Sequence, residues 1–238
     1  MKRYDVIVVG AGTAGCMTAK TAAKASLEIC LIDRKKRDDI GEKVCGDAVG
    51  KHHFDALGLA YPKGEELRSR IEGNKIYSPD LQTVFTVKGE RLYGFILNRR
   101  LFGQRLLNDA LDAGATLLDS TIATDTLLKK GFVTGITAKD MKNGSTMRLQ
   151  GKVVVDASGF TALLRKALPP VIGIDRNVDN EDVAALYREI RTLKGYDFDT
   201  RFCEIYIDQT MTPGGYHWIF PEGENAVNVG LGVTMTKG

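Results

Sequence analysis

The chain has 238 residues, 43% of them hydrophobic and 26% charged, enough to bury a sizeable core in one domain or in a domain with an added lobe. A formal charge of +3, without a concentrated patch, is too small to point to nucleic acid. No apolar run approaches the ~20 residues of a spanning helix, and the four cysteines and three histidines lack the spacing of a disulfide framework or a metal site.

The opening run Asp5-Val6-Ile7-Val8-Val9 is continuous and β-branched, the composition of a strand buried on both faces of a parallel sheet. It ends in Gly10-Ala11-Gly12-Thr13-Ala14-Gly15, and the residues from Cys16 to Ala25 are small or helix-forming. A second strand, Leu27 to Ile32, finishes at Asp33, 18 residues after Gly15. A lone GxGxxG is common by chance. One that follows a strand, opens a helix and has an acid at this distance is the dinucleotide fingerprint. Its glycines let backbone N–H groups and the positive helix end approach a pyrophosphate, and Asp33 can accept from a ribose hydroxyl. The basic run Arg34-Lys35-Lys36-Arg37, followed at once by Asp38-Asp39, reads as a solvated loop.

Farther on, a short strand leads into a helix predicted over 99–113, with Leu101, Phe102, Leu106, Leu107 and Leu111 on one side and a stop at Gly114. Strands are predicted near 115–119 and 121–129. A hairpin then turns at Asn143-Gly144 and returns to the apolar strand Lys152–Ala157, which ends in Ser158-Gly159. From about residue 170 the segments alternate or are β-branched at short spacing, which predicts an antiparallel sheet. The loop 169–182 is the expected boundary, dividing the chain into 1–170, with inserted segments, and 171–238. Within the second part Tyr216, Trp218 and Phe220 alternate along a strand and so share a face. Periodicity alone favours the core of a two-layer lobe for them.

Several stretches together carry a resemblance. They are the opening fingerprint, Lys43–Gly58 (KVCGDAVGKHHFDALG), Asn98–Leu107 (NRRLFGQRLL), Val153–Gly159 (VVVDASG) and Pro213–Gly232 (PGGYHWIFPEGENAVNVGLG). The chain resembles the geranylgeranyl reductase family of FAD proteins, above all the archaeal enzymes that saturate isoprenoid chains of membrane ether lipids. The resemblance implies an α/β fold: an FAD-binding three-layer ββα Rossmann-like domain with an antiparallel β-sheet substrate lobe. It places the FAD pyrophosphate at Gly10, Gly12, Ala14 and Gly15 and the ribose at Asp33, where Glu is the more usual acid. The segment lying along the flavin matches Cys45, Gly46 and Asp47, the arginine near the phosphates matches Arg99, and further cofactor contacts match Ala123 and Gly159. The PxxYxWxFP motif lining the lipid pocket matches Pro213, Tyr216, Trp218, Phe220 and Pro221.

Cys45 is the implied catalytic residue, placing a proton or shaping the ring's edge, beside the alternative of a buried structural thiol. Gly214-Gly215 would let backbone approach the flavin without a Cβ between. The resemblance also implies an isoprenoid lipid substrate and an external reductant, whether ferredoxin, deazaflavin or nicotinamide. It implies a cytoplasmic protein peripheral to the membrane, with no role for nucleic acid. The family's later GDA-type segment has no match before Gly238, so the chain reads as ending short of it. Two rival readings stay open: a monooxygenase of the same flavin fold, which would carry a DG segment where this chain has Asp156-Ala157-Ser158-Gly159, and a flavin- or nucleotide-binding module without chemistry.

Overall fold

In the computed structural model, residues 2–170, 174–194 and 198–235 are described. The chain divides into two compact units, one of residues 1–42 and 100–177 and the other of residues 43–99 and 178–238. The division expected at 170/171 falls against residues 171–173, outside the described ones. By contact the later crossing lies at 177/178, and the inserted residues 43–99 join the second unit.

The first unit is built on β1 (Lys2–Val9), β2 (Ile29–Ile32), β8 (Thr116–Leu118) and β11 (Thr146–Asp156), which run parallel in the order β8-β2-β1-β11. All four residues of β2 and the last four of β1 are buried, as a parallel sheet covered on both faces requires. Helix α1 (Thr13–Lys24) packs on this sheet through Gly15, Cys16, Ala19 and Ala23, small side chains that admit close approach. Helix α3 (Arg99–Asp112) lies beside it, tied by Lys20 Nζ to Asp109 at 2.8 Å, and buries Phe102, Leu106, Leu107 and Ala110. The hairpin β9 (Thr121–Lys129) and β10 (Phe132–Asp140) continues the sheet antiparallel from β11. It folds back so that Ala123, Ile136 and Ala138 meet Ile7, Cys30, Ile32 and Leu164 in one core. Leu164 comes from α4 (Leu163–Ala167), which completes this layer. The β10–β11 turn is fastened by Gly144 N–H to Asp140 O at 2.9 Å, with Gly144 at φ +76°.

The second unit has a six-stranded sheet, β12 (Ala184–Thr192), β15 (Ala226–Thr234), β14 (Tyr216–Pro221), β13 (Phe202–Tyr206), β5 (Gly73–Tyr77) and β6 (Val84–Lys88), in that order. It is antiparallel except for β5 and β13, which run parallel. A smaller sheet joins β3 (Ala48–Gly50), β7 (Gly94–Leu97) and β4 (Leu67–Ile71), with α2 (Lys51–Leu57) after β3. Ile71, Ile96 and Cys203 with Phe220 form a core inside this unit. The sheet expected from 171–238 therefore takes two of its six strands from residues 73–88.

Candidate flavin site and aromatic strand

In the first unit the fingerprint residues collect at the carboxyl ends of β1, β2 and β11, where open parallel sheets bind their ligands. Gly10 has φ +103°, and a Cβ there would lie 2.3 Å from Ala157 O. A Cβ on Gly15 would lie 1.7 Å from Gly10 O. Both glycines are thus imposed by the tight strand-to-helix turn itself. Gly12 differs: a Cβ there would meet no atom of the chain within 4 Å. It stands at the N-cap of α1, where no side chain caps the helix and no acid occupies the first turn. The bare N-terminal N–H groups, including that of Ala14, face an open approach that suits a pyrophosphate.

Asp33 follows β2 and is pinned by the backbone. Ala11 N–H donates to its Oδ2 at 2.7 Å and Lys35 N–H to its Oδ1 at 2.8 Å. Each oxygen keeps a lone pair for a further donor, so the carboxylate is held in place beside the glycine turn. Gly159, at φ +71°, has open space where a Cβ would stand. The preceding Asp156 serves the fold: it accepts from Ser158 Oγ and from the N–H groups of Ser158, Leu164 and Arg165, capping α4. Burial pushes its carboxyl up, but these donors outweigh it and hold it below the usual range. Ala123 pairs with Ala138 in the hairpin and points its methyl into the core.

In the second unit the Cys45–Asp47 segment lies on the aromatic strand. A Cβ on Gly46 would fall 2.7 Å from the Phe220 ring and 3.5 Å from Trp218 Nε1, so both rings pack on this glycine. The rings of Tyr216, Trp218 and Phe220 follow one another at 6.1 Å centroid spacing on one face of β14. Trp218 is 3% exposed and lies over Gly230, whereas Tyr216 is 45% exposed. The space beside Gly214 and Gly215 is filled by β15 itself: their Cβ atoms would lie 2.3 Å from Thr234 Oγ1 and 1.9 Å from Gly232 O. The packing of β15 thus requires glycine at both positions.

Asp47 is 3% exposed and sits at φ +64°, a conformation costly for a non-glycine residue. Arg99 Nε lies 3.8 Å from its Oδ1 and Arg188 Nη2 3.9 Å from its Oδ2. Its Oδ1 makes no hydrogen bond, and neither does Glu222 Oε2 nearby. Burial pushes the Asp47 carboxyl up to about 6, against the pull of Arg188 and Arg99 and with help from Glu222. Asn228, fully buried, donates to Cys45 O at 2.9 Å and to Asp47 Oδ2 at 3.2 Å, and accepts from Trp218 Nε1–H at 3.1 Å. Cys45 is half-buried, while burial pushes the Cys16, Cys30 and Cys203 thiols up to about 12. Arg188, Glu222 and Asn228 are absent from the sequence-predicted set. For Asn228 the signal was there, since it is a lone amide between Val227 and Val229 of an otherwise apolar strand.

The lycopene cyclase protein family matches residues 5–181, and the geranylgeranyl reductase catalytic domain matches residues 182–238. A digeranylgeranylglycerophospholipid reductase of Sulfolobus acidocaldarius is 44% identical over 97% of this chain and 50% of its own length. A geranylgeranyl bacteriochlorophyll reductase-like protein from Thermoplasma acidophilum superposes with a TM-score of 0.87 at 27% identity, over 99% of this chain and 58% of that one. A myxobacterial chondrochloren halogenase, an FAD-dependent enzyme, shares the fold with a TM-score of 0.79 at 15% identity, over 99% and 54%. The chain spans about half the length of these relatives. The fold is that of the flavin-dependent oxidoreductases. Within that class, the chain belongs by its residues 5–181 to the lycopene cyclase protein family, and its residues 182–238 are similar to the geranylgeranyl reductase catalytic domain.

Proposed function

We propose that the chain takes part in FAD-dependent reduction of isoprenoid double bonds in geranylgeranyl ether lipids. The observation that carries this reading is the packing of Trp218 and Phe220 on Gly46. Within one unit, the segment that the family lays along its flavin abuts a wall of aromatic rings, in the region matched by the reductase catalytic domain. Bound FAD would supply hydride equivalents to an alkene carbon.

The residues present fit that cofactor. The open N-terminus of α1 at Gly12 and Ala14 receives the pyrophosphate, and the pinned Asp33 takes the adenosine ribose. Cys45, Gly46, Asp47 and Arg99 serve the flavin side; the buried Oδ1 of Asp47, which makes no hydrogen bond, can accept one. An isolated alkene has no carbonyl to store negative charge, so a proton must be delivered close to the reacting carbon. The Cys45 thiol is the group assigned to hold it. Tyr216, Trp218 and Phe220 offer rigid apolar surface to a hydrocarbon at little entropic cost and keep water from it.

An external reductant, whether a ferredoxin, a deazaflavin or a nicotinamide, would load the flavin. A substrate that lives in a bilayer supports peripheral membrane association, and among the described residues no helix is long and apolar enough to cross one. The test is anaerobic: FAD-loaded protein, reduced with dithionite, is mixed with a geranylgeranyl glycerolipid while flavin absorbance and product mass are followed. Flavin reoxidation matched by saturation of the lipid is expected. Product that appears only with oxygen would favour the monooxygenase, and retained FAD with no lipid turnover a binding module.

A further inference from the structure

We propose that Asn228 is a positioning residue that locks the Cys45–Asp47 segment to the aromatic strand and transmits the protonation state of Asp47 to Trp218. Three of the four hydrogen-bonding directions of its side chain are used, both donors among them. Trp218 Nε1 can only donate, so the amide oxygen must face it; Cys45 O and the Asp47 carboxylate accept, so the amide nitrogen must face them. The orientation of the amide is therefore fixed by chemistry. No other side chain of this size fits all three partners. Aspartate would turn an acceptor toward two acceptors, leucine would orphan a buried indole N–H and carboxylate, and glutamine adds a methylene to a site with no exposure. Because Asp47 stands at φ +64° and Gly46 is pressed on Phe220, this segment has one seat, and Asn228 defines it.

Ionised Asp47 strengthens the Asn228 N–H contact and, through the polarised amide, the grip on the Trp218 indole. The charged groups facing Asp47 are Arg99 at the start of α3, Arg188 on β12 and Glu222 after β14. The arginines do not titrate in this range. Burial also raises the Glu222 carboxyl. His217, next to Trp218 in sequence, points to the opposite face of β14, where it stacks on Tyr206 at 4.8 Å. The catalytic meaning of the clamp, a fixed offset between the Cys45 thiol and the aromatic wall, rests on the reductase reading; the clamp itself lies in one unit and needs no cofactor.

Trp218 is the chain's only tryptophan, so its emission isolates the effect. Emission is measured across pH 4–8 on the 238-residue protein without FAD, in a background with Glu222→Gln and His217→Gln so that neither neighbour titrates. A transition near pH 6 is expected, abolished by Asp47→Asn and abolished by Asn228→Ala. In Asn228→Ala, alkylation of Cys45, the thiol left accessible while the other three are buried, should speed up about tenfold as its carbonyl anchor is lost. A transition that survives Asn228→Ala, or none in the parent protein, overturns the proposal. Should Asn228→Ala not fold, Asn228→Ser takes its place in the same comparison. A clamp that behaves so in a protein that never reduces a lipid would leave this inference standing and the reductase reading refuted.

Discussion

Two carboxylates, both assigned to the cofactor, are held in opposite ways, and the difference predicts opposite responses to mutation. Asp33 accepts two backbone N–H groups and keeps lone pairs free toward the glycine turn. Asp33→Ala removes a charge-assisted acceptor worth about 1.5–3 kcal/mol, so FAD affinity should fall roughly 10- to 100-fold in a fluorescence titration. Unchanged affinity would place the ribose elsewhere. Asp47 is buried, with one oxygen that makes no hydrogen bond and its arginines near 4 Å. Its folded pKa of about 6 lies above the ordinary 3.8. The stability it contributes is therefore fully present below pH 3.8 and is lost as pH rises through 6. At pH 7.5 the ionised group costs on the order of 2–3 kcal/mol, and Asp47→Asn should recover much of it as a higher urea midpoint. The gain should vanish at pH 4. A midpoint difference that does not change with pH would show that burial is not what governs this carboxyl.

Among the elements, the glycines separate packing from ligand approach. A Cβ on Gly230 of β15 would lie 2.1 Å from Trp218 Cζ2, and β15 is paired on both sides, so the ring must move rather than the strand. Gly230→Ala should cost about 1–3 kcal/mol by overpacking and red-shift the Trp218 emission. Gly12→Ala places its methyl in open space. It should cost less than ~1 kcal/mol of stability yet weaken FAD binding, because the methyl stands where the phosphates approach. If both variants behave alike in chemical denaturation and in cofactor titration, this division of roles is wrong.

The same contrast explains what the sequence discloses. β1, α1 and β2 are legible because parallel strands buried on both faces are uniformly apolar and the glycine turn between them has few alternatives. The helix from Arg99 and the alternation of β14 are legible for similar reasons. Between Asp33 and Gly94 the sequence reading assigns no strand, yet β3, β4, β5 and β6 lie there. They are three to five residues long and carry Arg68, Arg70, Asn74 and Lys75. Pairing with distant β7 and β13, not local propensity, makes them strands. Asn228 escapes for a related reason: its partners Cys45 and Asp47 are more than 180 residues away in sequence.

Across the whole molecule, this distance has a consequence for what folds alone. The sequence places a boundary near residue 170, which makes 171–238 the start of an antiparallel β lobe. The contact division instead joins 178–238 to 43–99. In that unit β13 pairs with β5 along its full length, from Phe202 opposite Gly73 to Tyr206 opposite Tyr77. The buried Asn228 finds both its acceptors in the Cys45–Asp47 segment, and Ile71 and Ile96 supply two of the three buried residues in the core around Cys203. Cutting at 170 would strip β13 of a neighbour, leave an amide unsatisfied in an apolar strand at about 1–3 kcal/mol, and open the core. For a four-stranded remnant this exceeds what its own packing can offset. A peptide of residues 171–238 should thus lack near-UV circular dichroism and dispersed amide resonances. A single chain joining 43–99 to 178–238 through a flexible linker should show both, together with a blue-shifted Trp218 emission. Ordered spectra from 171–238 alone would instead support the sequence's boundary and make the 43–99 pairing an accessory to a lobe already formed.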